Sequence, residues 1–304
     1  MSKKQLLFVG LVAFTLASCG SKKTGDVKTD VKDTSKTKQP ADGNKSRGTI
    51  DPFKSFPLDP ITGNKGDYVL SPSKNWQEDG TSGKENVTYI FYSQTLSETG
   101  PQFSNVDFMG EPAVSIPNYM IIPIKSGQTA KKGDIVLTWW QGGSGMMRAI
   151  VTDDKNPSQP TVCYLDLDWG SEKYPGFARK EETLKPNSFH VMTDVWEAGA
   201  TVAAKDGDKY YNVTIVKVSG DNVLTIGFAG KMVVYPKSDC TPIALNPNVK
   251  KGDAVQAPWS SGSFVNTTVE KVDAKTGRVF CTDPYGGDPM VVPFGDVTSG
   301  LAIK

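Results

Sequence analysis

The chain has 304 residues, of which 38% are hydrophobic and 10% aromatic, and its 34 basic and 33 acidic residues give a formal net charge of +1. Residues 51–304 alone contain 24 basic and 29 acidic side chains, a net charge of about −5. Proteins that bind nucleic acid depend on basic patches that displace counterions from phosphate, so this balance argues against a nucleic-acid partner.

The first twenty residues have the three parts of an export signal. Lys3 and Lys4 form its basic start, and the apolar run over residues 6–16 is too short to span a bilayer, which takes about twenty helical residues. The run ends in Leu-Ala-Ser-Cys, which resembles the lipobox of bacterial lipoproteins. The resemblance implies a signal peptide over residues 1–18 and lipidation of Cys19, which anchors the chain in a membrane when more than one acyl chain is attached. The alternative is an ordinary secretory signal with an incidental cysteine.

The segment that follows has the composition of a linker. Residues 21–50 contain no aromatic residue and few aliphatic ones, so they cannot bury enough apolar surface to offset the entropy of ordering. We predict a disordered tether over residues 19–50, with an end-to-end distance on the order of 30 Å.

Three phrases then recur in the same order, which is typical of a repeat protein. The first is Lys-Gly-Asp-x-Val, whose glycines are Gly66, Gly133 and Gly252, with Gly199 in a degenerate copy. The second phrase is rich in threonine and valine and begins at Asn86, Arg148, Asn212 and Asn266. The third contains a proline and begins at Ser115, Leu184, Val233 and Met290. We predict four units, over residues 51–124, 125–193, 194–246 and 247–304.

Within each unit the local signals are those of strands and turns. Residues 254–259 of the fourth unit alternate with period two, as expected when one strand face is buried. The first unit diverges, with a long insertion predicted between Ile90 and Ser115. A sheet of four or five short strands controls its edges best by closing into a barrel, so we predict an all-β fold.

The fourth unit resembles Tudor-like or SH3-like barrels. It has Gly-Asp-x-Val-x-Ala-x-Trp from Gly252 to Trp259, an aromatic residue after the first turn at Phe264, and Asp-x-Tyr-Gly from Asp283. The third unit follows less well, with Lys205 where the tryptophan would stand. The resemblance implies four tandem small barrels after the signal and tether.

Tudor-like domains bind extended peptides, some of them by enclosing a cation in an aromatic cage. Transferred to this chain, the candidate cage is Trp259, Phe264 and Tyr285, with Asp283 as the anion, because electron-rich ring faces attract cations. The alternative is that Phe264 and Trp259 fill the barrel core.

Two adjacent tryptophans in the second unit are further candidates for ligand binding. Trp139 and Trp140 point to opposite faces of a strand, so one should be buried and the other exposed or at a boundary between units. An exposed tryptophan is a common anchor in binding surfaces.

Residues for catalysis are sparse. His190 is the only histidine and no Gly-x-Ser-x-Gly elbow occurs, so a serine triad has little to build on. Asp166 and Asp168 share a strand face and could form a metal site or an acid–base pair, the alternative being solvated surface carboxylates. We predict no catalytic residue, cofactor or metal.

The cysteines argue against a disulfide-built fold. Apart from Cys19 there are three, Cys163, Cys240 and Cys281, which allow at most one internal disulfide. Cys163 and Cys281 occupy comparable third-strand positions, so we predict buried thiols rather than a bonded pair.

These inferences together predict a noncatalytic binding or scaffold lipoprotein of the cell envelope. Its expected partners are a protein or peptidoglycan, and Gly20 after the lipidated cysteine favours the outer membrane by resemblance. Two alternatives are a surface-exposed lipoprotein that binds host proteins and a cell-wall hydrolase that uses Asp166 and Asp168.

Overall fold

A computed structural model describes residues 51–82, 87–107, 113–143, 145–166 and 181–303. These residues belong to one compact unit. The predicted signal peptide, Cys19, the tether and Asp168 lie outside the described residues.

The structure is all-β, as predicted. Four small antiparallel sheets lie in a ring, an arrangement like that of a four-bladed propeller. Sheet 1 lies within residues 51–124, sheet 2 within 125–193, sheet 3 within 194–246 and sheet 4 within 247–304. Each sheet is therefore built by one stretch of chain.

Sheet 1 contains five strands: β1 (Tyr68–Pro72), β2 (Phe91–Glu98), β3 (Phe103–Asp107), β4 (Val114–Pro117) and β5 (Ile122–Pro123). Their order is β4-β3-β2-β1-β5, and the helix α1 (Lys74–Thr81) lies between β1 and β2 in the chain. Among the residues the structure describes, no helix has the length and apolar character needed to cross a membrane.

Sheets 2 and 3 repeat this strand order. Sheet 2 contains β6 (Ile135–Trp139), β7 (Met146–Asp153), β8 (Thr161–Tyr164), β9 (Glu182–Thr183) and β10 (His190–Val191). Sheet 3 contains β11 (Thr201–Asp206), β12 (Lys209–Ser219), β13 (Asn222–Ile226), β14 (Met232–Pro236) and β15 (Cys240–Pro242). In both, the first strand pairs with the second and with the fifth.

Sheet 4 contains four strands: β16 (Ala254–Pro258), β17 (Phe264–Asp273), β18 (Arg278–Cys281) and β19 (Met290–Pro293). The place of a fifth strand is taken by Thr298, which exchanges two backbone hydrogen bonds with Gln256 on β16. Val255 and Ala257 are buried while their neighbours on β16 are not, which confirms the predicted alternation.

The four glycines of the first phrase occupy one structural position. Their φ angles lie between +90° and +93°, where glycine has no steric penalty, and they are Gly66, Gly133, Gly199 and Gly252. Each donates its N–H to a carbonyl on the second strand of its sheet, on Leu96, Val151, Ile215 and Val269 respectively. The repeat read from the sequence is therefore a repeat of backbone geometry.

A β-bulge follows each of those carbonyls. The register of the second strand shifts between Leu96 and Glu98 in sheet 1, and at the corresponding places in sheets 2, 3 and 4. A bulge bends a strand and increases its twist, so all four second strands bend at the same point.

This alignment corrects two predictions for the first unit. The counterpart of the second phrase begins at Ser93, because Leu96 is equivalent to Val269, and not at Asn86. The extra residues lie between β1 and β2, over residues 73–90, rather than between Ile90 and Ser115. Low similarity in the β2 sequence, Phe-Tyr-Ser-Gln-Thr-Leu, explains the misalignment.

The four sheets share one core. A single cluster of buried apolar side chains has members from every sheet, for example Val69, Leu137, Val202 and Val255. A sheet of this size buries little surface alone, so packing against its neighbours supplies the missing stabilisation.

The three cysteines of the described residues, Cys163, Cys240 and Cys281, are buried and form no disulfide with one another, which confirms the prediction for Cys163 and Cys281. Burial raises the pKa of the Cys240 and Cys281 thiols from 9.0 to about 11. The unfolded chain therefore loses these protons at a lower pH than the folded protein does.

The free energy of unfolding should consequently fall as the pH rises from about 9 toward 11. Urea unfolding across this pH window should show a smaller fall in that free energy for a Cys240→Ala, Cys281→Ala variant than for the wild type. Equal slopes in the two proteins would contradict the prediction.

Candidate functional site

The two adjacent tryptophans lie in different environments. Trp139 is 3% exposed, and its ring centroid lies 4.9 Å from that of Tyr68 in sheet 1, so it packs at the boundary between two sheets. Trp140 is half-buried over the backbone of Gly143 and packs on a second, smaller core within sheet 2.

Trp140 and Trp259 occupy equivalent positions in their units. Each begins the turn after the first strand, with its N–H donated to the residue that closes the turn, Gly145 at 2.9 Å and Ser263 at 2.8 Å. Trp259 lies beside Tyr285, with 5.3 Å between ring centroids. We call Trp259 and Tyr285 the aromatic pair.

The proposed cage around the aromatic pair is incomplete. Phe264 is 4% exposed and packs with Ala203, Ile243 and Leu301, so it is a core residue and its assignment to the cage is corrected. The Asp283 carboxylate accepts the N–H groups of Tyr285 and Gly287, each at 2.8 Å, and so holds the turn that carries Tyr285.

Of the candidate acid–base pair only Asp166 is among the described residues, and it binds a buried arginine. The Arg148 side chain is 4% exposed, and its Nη2 lies 2.6 Å from Asp166 Oδ1 and 3.0 Å from Asp296 Oδ1. Its Nη1 donates to Thr201 Oγ1 at 2.8 Å. We call these four residues the arginine hub, which joins sheets 2, 3 and 4. Burial alone would lower the pKa of Arg148, but the two carboxylates outweigh it and raise the pKa.

Both ring nitrogens of His190 contact neighbouring side chains. Its Nε2 lies 2.6 Å from Glu197 Oε2, and its Nδ1 lies 3.0 Å from the side-chain amide of Gln128. Glu197 also accepts the N–H of Asp194. The contact between His190 and Glu197 joins the last strand of sheet 2 to the loop that leads into sheet 3. No group of three or more histidine, cysteine or acidic residues in the described part of the chain is arranged to hold a metal ion.

A cavity lies at the seam between sheets 3 and 4. It has a volume of about 480 Å³, within the usual range for small-molecule sites. Three aromatic side chains line it, Tyr211 on β12, Phe228 on the loop after β13, and Tyr235 on β14. We call this cavity the aromatic pocket.

Polar groups complete the lining of the aromatic pocket: Asp206, Asn212, Lys231 and Ser261, the last contributed by sheet 4. Burial, and then the charge of Asp206, raise the pKa of Tyr235. The side-chain oxygen of Asn212 is buried and accepts no hydrogen bond from any described residue.

The loop that carries Phe228 is held on two sides. The N–H of Tyr89 in sheet 1 donates to Gly230 O at 2.8 Å, and the Phe228 Cβ lies against Gly262 in sheet 4. Phe228 is nevertheless 67% exposed. Together with Tyr211 and Tyr235, Phe228 forms an aromatic patch at the cavity, and contiguous exposed apolar patches mark binding surfaces.

Sequence reasoning did not identify the aromatic pocket. Asp206 stands seven residues after Gly199, as Trp259 stands seven after Gly252, so Asp206 and not Lys205 takes the tryptophan's place in the third unit. Phe228 and Tyr235 come from later strands, and no local pattern links them to Asp206.

The comparison with known proteins adds no family to these observations: no protein-family model and no curated protein sequence matches the chain.

Proposed function

We propose that this protein is a lipid-anchored binding module of the bacterial cell envelope, without catalytic activity of its own. The observation that carries the proposal is the aromatic pocket, a cavity of ligand size with three aromatic side chains and one of them, Phe228, 67% exposed. The proposed partner is a protein or a cell-wall polymer, and the proposed anchor is Cys19.

The proposal includes an SH3-like or Tudor-like fold for each unit. Its support is the strand order, in which the first strand lies between the second and the fifth in sheets 1, 2 and 3. A single 3₁₀ turn connects the fourth and fifth strands in sheets 1 and 3, over Asn118–Met120 and Lys237–Asp239.

A binding function without catalysis agrees with the contacts of the candidate catalytic groups. Asp166 is bound to Arg148 and His190 to Glu197, so both side chains already have structural partners. The aromatic pocket offers rings and hydrogen-bonding groups that suit recognition.

The proposal predicts that Phe228→Ala weakens ligand capture by about 30-fold, the value for a hot spot worth about 2 kcal/mol. Immobilised protein would be incubated with envelope extract and with purified peptidoglycan, and the bound material quantified. The fold should be unaffected, because the protein loses little packing when the exposed Phe228 side chain is removed.

Tyr285→Ala is the matched control, since Tyr285 is also an exposed aromatic residue, at 71%, but is not part of the pocket lining. Capture that falls in Phe228→Ala and persists in Tyr285→Ala supports the pocket as the binding site. Equal capture by wild type and Phe228→Ala would reject it, and loss in Tyr285→Ala alone would transfer the site to the aromatic pair.

A further inference from the structure

We infer that the aromatic pocket takes an uncharged sugar unit of a glycan. The inference rests on the proposed function, since it names the ligand class of the same pocket. It follows from the charge balance of the lining, from one buried oxygen without a donor, and from the ring faces.

The charges in the lining balance. Asp206 and Lys231 contribute one of each sign, and the remaining lining residues are uncharged. A cationic ligand attracted to Asp206 is repelled by Lys231. An anionic ligand attracted to Lys231 is repelled by Asp206. A neutral ligand avoids both conflicts, and hydroxyl groups satisfy both residues because each can donate to a carboxylate and accept from an ammonium.

Asn212 adds a requirement for a donor. Its N–H donates to Gly262 O at 2.8 Å, which fixes the residue at the seam, while its Oδ1 accepts no hydrogen bond from the described protein. A buried acceptor without a donor is costly. The oxygen is covered in the free protein, so a ligand hydroxyl or acetamido N–H reaches it, and removes that cost, only when the Asn212 side chain turns toward the cavity.

The aromatic side chains of the pocket provide surfaces against which the apolar faces of a sugar can pack. A pyranose ring carries C–H bonds on its faces and hydroxyl groups around its rim. C–H groups pack well against the negative face of an aromatic ring, while the rim groups point toward polar neighbours. The lining combines Tyr211, Phe228 and Tyr235 with Asp206 and Asn212, and so provides for both parts.

The test uses three uncharged trisaccharides as probes: tri-N-acetylchitotriose, cellotriose and maltotriose. Each would be added to the full chain in detergent, and binding measured by saturation-transfer NMR and calorimetry. N-acetyl-arginine amide serves as the cationic probe. We expect at least one trisaccharide to bind, with affinity reduced about tenfold or more by Phe228→Ala and by Asp206→Asn.

Lys231→Gln separates the two ligand classes. Sugar binding should weaken in this variant because a charged ammonium donor is replaced by a weaker, neutral amide donor, whereas binding of a cation should strengthen because a repulsion is removed. Failure of all three trisaccharides to bind, or stronger binding of N-acetyl-arginine amide, would overturn the inference. The proposed function would still stand if capture from envelope extract remained sensitive to Phe228→Ala.

Asn212→Leu provides a second and independent measurement. Leucine has a similar size and no acceptor, so the thermal midpoint should rise by about 2–4 °C while trisaccharide affinity falls about tenfold or more. A variant that is more stable and binds less has kept its fold. A lower midpoint with unchanged affinity would show that Asn212 serves packing alone, against the inference.

Discussion

Replacing Arg148 with methionine is expected to lower the free energy of unfolding by about 3–5 kcal/mol, the cost of removing one partner from a buried ion pair. Asp296 is only 5% exposed and would remain as a buried carboxylate without its guanidinium. The loss should be large because the arginine hub joins sheets 2, 3 and 4. Urea unfolding monitored by circular dichroism would measure it.

The double variant Arg148→Met, Asp296→Leu is the matched control. It removes both buried charges and replaces them with apolar groups, a change that is often neutral or stabilising. Asp166 retains 30% exposure and can be hydrated once Arg148 is gone. We therefore expect the double variant to recover most of the loss. A free energy of unfolding for Arg148→Met within about 1 kcal/mol of wild type, the value of a surface ion pair, would refute the role of Arg148 in joining the sheets. A double variant no more stable than the single variant would refute it as well.

Gly199→Ala is expected to lower the free energy of unfolding by roughly 2–5 kcal/mol. The φ of +90° costs an alanine about 1–2 kcal/mol. The new Cβ would also lie 2.8–3.1 Å from Leu137 side-chain atoms, and overpacking of this kind costs typically 1–3 kcal/mol. Leu137 is 1% exposed and has little room to move.

The repeat itself supplies the control, because Gly252 has nearly the same φ, +93°, and open space around its Cβ position. Gly252→Ala should therefore cost only the backbone strain of about 1–2 kcal/mol. The difference between the two variants measures the close approach of sheet 3 to sheet 2. Equal losses in free energy of unfolding for the two variants would mean that Leu137 repacks freely around the new Cβ. The contact between sheets 2 and 3 would then not be tightly packed at this point.

The sequence predicted the local features of this fold well. The four glycines were recognised as one repeated position, and all four have the same positive φ and the same hydrogen bond to a second strand. The buried thiols of Cys163 and Cys281 were expected from their strand positions and are present. These predictions succeeded because they depend on steric restriction and strand alternation over a few residues.

The candidate site was predicted less well. Trp259 and Tyr285 do lie together, but Phe264 is in the core, because its position on β17 faces Ala203 and Ile243 of the neighbouring sheet. The sequence predicted Asp166 as part of a metal or acid–base pair or as a solvated carboxylate, whereas Arg148, eighteen residues earlier, binds it. Neither outcome follows from a pattern over a few residues, since Phe264 faces a neighbouring sheet and Arg148 meets Asp166 only because β7 pairs with β8.

The sequence by itself therefore determined the strands, the turns and the fourfold repeat, because each rests on backbone preferences within one unit. Tertiary structure alone decided the aromatic pocket and the arginine hub. Tyr211 and Phe228 meet Ser261 only where sheet 3 contacts sheet 4, and Arg148 meets Asp296 across 148 positions of the chain. Such contacts arise when sheets too small to bury their own apolar faces pack against one another.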